Sequence, residues 1–109
     1  MQPERRLTPR FPILAPAQVT DEQSAIVVDG LLTELSEYGC MVRTGMPFPR
    51  GTHVRLNTVH KGQALAAQGR VAYLAIGAMG IVFSRVEADQ QAILCTWLAA
   101  CAEPSAHAS

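Results

Sequence analysis

At 109 residues the chain is long enough for one domain with a single modest core. Its hydrophobic content of 49% and charged content of 17% belong to a globular protein, not a disordered one. The formal net charge is zero, which excludes the diffuse positive field that captures long nucleic acids, so any basic site must be local.

Residues 1–12 read as a flexible arm, because Pro9 and Pro12 interrupt it and few of its residues are apolar. Three of the nine basic residues, Arg5, Arg6 and Arg10, fall in this arm, and Lys61 is the single lysine of the chain. No apolar stretch follows the first residues as a secretory signal would, and no run approaches the length of a membrane span. A cytoplasmic protein without membrane insertion is expected. The three cysteines, Cys40, Cys95 and Cys101, are odd in number and have no zinc-ligand spacing, which favours free thiols in a reducing compartment.

Ile13–Thr20 predicts a first strand, with Pro16 suggesting an edge position. After a polar turn at Asp21–Ser24, the apolar run Ala25–Leu35 contains Asp29-Gly30 as a candidate turn or bulge. Cys40–Thr44 reads as a short strand. In His53–Val59, Val54, Leu56 and Thr58 alternate with His53, Arg55 and Asn57, the period of a half-buried strand. Lys61-Gly62 predicts a turn into a long strand over Ala64–Ile76, with a bend or bulge at Gly69 and with Val71, Tyr73 and Ala75 on one face. Gly77 turns the chain into Met79–Val86, where Ile81 and Phe83 share a face. The period then becomes helical at Ile93, Leu94, Trp97, Leu98 and Cys101, from Asp89 to a stop at Glu103-Pro104. Short antiparallel strands closed by one amphipathic helix imply a small barrel or strongly curved sheet, with the helix covering an open side or end. The barrel and helix should occupy residues 13–103, and residues 104–109 should form a disordered tail.

Two segments carry chemistry. The arm holds Arg5, Arg6 and Arg10, and guanidinium forks match phosphates and the O6/N7 edge of guanine. The segment Glu34-Leu-Ser36-Glu-Tyr-Gly39 lies between two strand-like runs and is rich in acceptors. Together they suggest a small anionic ligand bearing guanine, held between a basic arm and a rigid turn. Each segment also has a plainer reading, a solubilising tail in one case and an ordinary hairpin connection in the other. Tyr38 is the aromatic retained as a candidate ligand or partner contact, whereas Tyr73 and Trp97 are assigned to packing. His53 and His60, at odd spacing, should face opposite ways and share no metal. No nucleophile elbow surrounds Ser36, so no enzyme is expected.

On this order of strands the chain resembles the PilZ family of bacterial cyclic di-GMP receptors. The resemblance rests on Arg6-Leu-Thr-Pro-Arg10 for an RxxxR arm and on Glu34-Leu-Ser36-Glu-Tyr-Gly39 for (D/N)xSxxG. Gly80-Ile-Val-Phe83 supplies a late G-hydrophobic-x-F strand, and the C-terminal helix follows it. The resemblance implies a mainly β fold, a six-stranded antiparallel β-barrel with one C-terminal α-helix. It also implies a nucleotide-binding, second-messenger signalling role, with cyclic di-GMP as ligand, no cofactor or metal, and an effector protein as partner. Arg6, Arg10, Glu34, Ser36 and Gly39 would hold the ligand. A basic residue at Arg5 would go with capture of an intercalated dimer of the dinucleotide. The family pattern has Asp or Asn where this chain has Glu34, so the alternative is a degenerate PilZ-like scaffold that binds proteins and no nucleotide. A barrel for single-stranded nucleic acid is the third reading, opposed by zero net charge and few exposed aromatics.

Overall fold

The computed structural model describes residues 9–102. The chain forms six strands, β1 (Phe11–Asp21), β2 (Val27–Leu35), β3 (Gly39–Arg43), β4 (His53–His60), β5 (Gln63–Ala75) and β6 (Ala78–Arg85), with period-two burial clearest in β1 and β4. They close into an antiparallel barrel in the order β1-β2-β3-β6-β5-β4, and one helix, α1 (Ala88–Ala102), follows. The expected six-stranded antiparallel barrel with a C-terminal helix is therefore the fold of this protein. Residues 1–8 of the expected arm at 1–12, and the whole of the expected tail at 104–109, lie outside the described residues.

The inward rows fill the barrel with side chains, as a barrel of this size requires. Val19, Leu32, Leu35, Val42, Val54, Leu56, Leu65, Val71, Met79 and Ile81 are almost fully buried. Phe48 folds inward from the β3–β4 connection to join them. Helix α1 packs against β1 and β5 and adds Leu94 and Trp97 to the same core. Directed bonds fix its position. The Trp97 indole N–H donates to Gln63 Oε1 at 2.7 Å, the Ala66 backbone N–H donates to Gln90 Oε1 at 2.7 Å, and His60 meets the Trp97 ring edge-on at 5.4 Å.

The Lys61-Gly62 turn forms as expected, with both residues at positive φ (52° and 78°), the twist that suits a two-residue hairpin. The expected irregularity at Gly69 is also present, as a shift in β5–β6 pairing between Gln68 and Gly69. Four local expectations are corrected. Strand β1 begins at Phe11, two residues earlier than expected, because Phe11 and Pro12 pair with Leu35 and Glu34. Pro16 does not mark an edge strand: β1 pairs with β2 on one side and β4 on the other, and Pro16 sits just past the last β1–β4 pair, Ala17 with Thr58. Its missing N–H falls where that ladder has already ended.

Asp29-Gly30 is neither turn nor bulge but runs straight through β2, paired with Gln18 and Ala17. Glycine is needed there because a Cβ would come within 2.5 Å of the Arg43 carbonyl oxygen. The fourth correction concerns β5. A second pairing shift, between Val71 and Tyr73, turns Val71 inward and Tyr73 outward, so the two do not share a face.

Candidate functional site

The β2–β3 connection is built by its own side chains. The Ser36 N–H donates to the Gly39 carbonyl at 2.9 Å and closes the turn. The buried Ser36 hydroxyl donates to the same carbonyl at 3.3 Å and accepts the Tyr38 N–H at 3.2 Å. Serine at this position thus supplies the internal bonds that hold the loop in one shape. The Phe83 N–H donates to the Tyr38 carbonyl at 2.8 Å and pins the turn onto β6. Gly39 lies so close to β6 that a Cβ would stand 2.3 Å from the Ile81 carbonyl oxygen. Its role in this structure is close packing of two backbones.

Glu34 precedes this turn at a pairing shift between Leu32 and Glu34, which leaves its side chain on the outer face opposite Pro12. One Arg10 Nη1 donates to Glu34 Oε1 at 3.3 Å, with both side chains a little over one-third exposed. Such a pair contributes under about 1 kcal/mol and occupies one of the five guanidinium donors. It is a weak latch that a better acceptor can open.

The floor beside the turn comes from β5 and β6. Tyr73, turned outward by the bulge, lays its ring over Gly80, where a Cβ would sit 2.2 Å from the ring. The Gly-Ile-Val-Phe segment therefore has a physical reading: glycine receives an aromatic ring outside, while Ile81 and Phe83 point inward. Counting outward from the two-residue turn Ile76-Gly77 pairs Ala75 with Ala78, Leu74 with Met79, and Tyr73 with Gly80. That count was the sequence signal that could have placed Tyr73 at the site.

Arg10, Glu34, Ser36, Tyr38, Gly39 and Tyr73 line one shallow cavity of about 100 Å³. Four of the six residues expected to bind ligand thus come together, 24 positions apart in sequence between Arg10 and Glu34. Arg5 and Arg6 lie outside the described residues. Tyr38, the candidate aromatic contact, also lines the cavity, as does Tyr73. Cys40, buried in the cavity wall, has its thiol pushed up to about 12 by that burial, so it stays protonated. Among the described residues no cluster of His, Cys, Asp and Glu could hold a metal, and no helix is long and apolar enough to cross a membrane.

The arrangement of barrel, turn and helix has counterparts. The family model of the PilZ domain matches residues 4–100, nearly the whole chain, and the protein belongs to the PilZ family. PilZ domains are binding modules and in general receptors of cyclic di-GMP. The PilZ domain of CeSA from a cellulose-synthesizing bacterium superimposes with a TM-score of 0.71 at 22% identity, over 84% of this chain and 96% of that one. The Bacillus subtilis inhibitor of motility, MotI/DgrA, gives 0.72 at 18% identity over 89% of this chain. This chain spans about half, 51%, of that protein. At such identities the likeness is one of fold. Comparison with curated protein sequences finds no match.

Proposed function

We propose that this protein is a cytoplasmic receptor for cyclic di-GMP that signals to a protein partner by folding its N-terminal arm over the ligand. The observation that carries this reading is the convergence of Arg10, Glu34, Ser36 and Gly39 on one cavity of a PilZ-family barrel. Arg10 exchanges its weak pairing with Glu34 for a phosphate or a guanine O6/N7 edge. Glu34, released, accepts from a guanine N–H. Tyr38 and Tyr73 offer ring faces beside them, and Arg5 and Arg6 supply further guanidiniums from the arm. Charge-assisted bonds contribute about 1.5–3 kcal/mol each, so two or three of them, less the cost of ordering the arm, support roughly micromolar affinity. The protein moves no covalent bond in this scheme.

Calorimetric titration with cyclic di-GMP tests the proposal, with GTP and cyclic di-AMP as controls. Selective micromolar binding, lost in Arg6→Ala and Arg10→Ala with the melting temperature kept, is the expected result. Two ligands per protein would identify the intercalated dimer associated with Arg5. A flat titration of the intact protein would remove the proposal.

One observation favours a second reading, in which the domain is a scaffold without nucleotide. The Glu34 carboxylate already holds Arg10, and glutamate carries it one methylene further out than the family's Asp or Asn. Glu34→Asp separates the two readings. A large gain of binding marks a degenerate site, and little change marks glutamate as an accepted variant.

A further inference from the structure

The cavity at the turn is far smaller than the ligand assigned to it. Pockets that enclose a small organic ligand measure roughly 300–1,000 Å³, and this one measures about 100 Å³. A cyclic dinucleotide seated there must overhang onto the outer face of the barrel.

Strand register shows what lies under the overhang. Gly39 pairs with Val82, Val82 with Arg70, and Arg70 with His53, in one lateral row across β3, β6, β5 and β4. Directly paired residues point to the same face, and Val82, Arg70 and His53 are all exposed. Val82 is itself part of the cavity wall. Neighbouring strands are about 4.8 Å apart, so the Arg70 backbone stands about 10 Å from Gly39, one strand beyond the wall.

Arg10 reaches the cavity from the other side, next to β1 and β2. The cavity therefore lies between two guanidiniums on opposite flanks. Arg70 forms no ion pair among the described residues, and its cross-strand neighbour is a histidine. Of the other outward arginines on these strands, Arg55 pairs with Glu22 at 3.5 Å and Arg85 with Glu87 at 2.8 Å, and Arg43 stands at the opposite end of β3 from Gly39, paired with Ala78.

Resting on the reading of the site as a cyclic di-GMP receptor, we infer that Arg70 is a second-flank ligand residue. Its fork grips the half of the dinucleotide that overhangs the cavity, at a phosphate or at the O6/N7 edge of the second guanine. A planar fork with paired donors suits either acceptor pair, which a lysine does not.

The test is calorimetry with cyclic di-GMP on the full chain, comparing wild type, Arg10→Ala, Arg70→Ala and Arg70→Lys, with the melting temperature of each measured without ligand. Expected is a loss of roughly ten- to a hundredfold in affinity for Arg70→Ala, the scale of one charge-assisted bond. The unliganded melting temperature stays at the wild-type value, and Arg70→Lys lies between the two. Affinity unchanged in Arg70→Ala but lost in Arg10→Ala overturns the Arg70 assignment and leaves the receptor reading standing. Full affinity in Arg70→Lys also overturns it, because charge alone would then suffice and no fork is engaged. Absence of binding by the wild type overturns the receptor reading, and the Arg70 assignment falls with it.

Discussion

Strand β2 ends in two turns that solve the same problem with different chemistry. At its start, Asp21 accepts the backbone N–H groups of Gln23 and Ser24 at 2.9 and 3.4 Å, and Ala25 takes a left-handed conformation with φ of 66°. At its end, Ser36 accepts the Tyr38 N–H, and Gly39 packs against β6. The first turn is held by a charged side chain in water, the second by a neutral one that is buried. A site for an anionic nucleotide gains from the second arrangement. The Ser36 hydroxyl that holds it brings no charge of its own, although Glu37 lies within the same turn and Glu34 just before it.

The comparison is broken most strongly at Gly39. Gly39→Ala should lower stability by about 2–3 kcal/mol, the upper part of the overpacking range, because the atom in the way is a backbone oxygen that cannot rotate aside. Chemical denaturation would show a lower midpoint, and ligand binding should fall with it. A glycine in place of Ala25 at the other turn does the reverse. If Gly39→Ala proved neutral, the turn would be far more pliant than its packing against Ile81 implies.

Ser36→Ala is the next step down. It leaves the Tyr38 N–H without its acceptor in a partly buried turn, which costs about 1–2 kcal/mol. Ser36→Thr, which keeps the hydroxyl, should recover much of this if the added methyl is accommodated. Equal loss in both variants in a denaturation series would mean that volume, and not the hydrogen bond, sets the tolerance.

Much of this fold was legible because period-two alternation and glycine turns are local signals. The alternation of His53–Val59, the Lys61-Gly62 turn and the bulge at Gly69 could all be read residue by residue. The meeting of Arg10 with Glu34 was legible only through the resemblance, since nothing local links positions 24 apart. What escaped depended on neighbours in other strands. Gly30 looked like a turn residue because its real constraint, the Arg43 carbonyl, comes from β3. Tyr73 looked like core because strict alternation from Val71 places it inside, and one extra residue in β5 reverses that. Pro16 looked like an edge because sequence does not say where a ladder ends.

Ala25→Gly sharpens the contrast from the other turn. A left-handed alanine is strained by roughly 1 kcal/mol, and glycine relieves it at the cost of a more flexible unfolded chain. A net gain of at most about 1 kcal/mol, seen as a small rise in melting temperature, is expected. Ligand affinity should not move, since Ala25 and the site lie at opposite ends of β2. A change in affinity would show that the two turns are coupled through the strand.

The smallest effect separates the two turns by pH. The N–H groups of Gln23 and Ser24 and the Ser24 hydroxyl hold the Asp21 carboxyl below its ordinary value, with the Gln23 bond first among them. A carboxyl lowered on folding adds stability that is fully present above its unfolded value and is lost as pH falls through the folded value. Acid titration of the protein should therefore show a weak loss of stability in the acid range that is absent in Asp21→Asn, whose amide oxygen still accepts the same bonds without titrating. The hydroxyl that holds the Ser36 turn does not titrate, so Ser36→Ala should keep the acid-range loss of stability that Asp21→Asn abolishes. Persistence of the acid dependence in Asp21→Asn, or its loss in Ser36→Ala, would place the titrating group elsewhere and dissolve the distinction between a turn held by a carboxylate and one held by a hydroxyl.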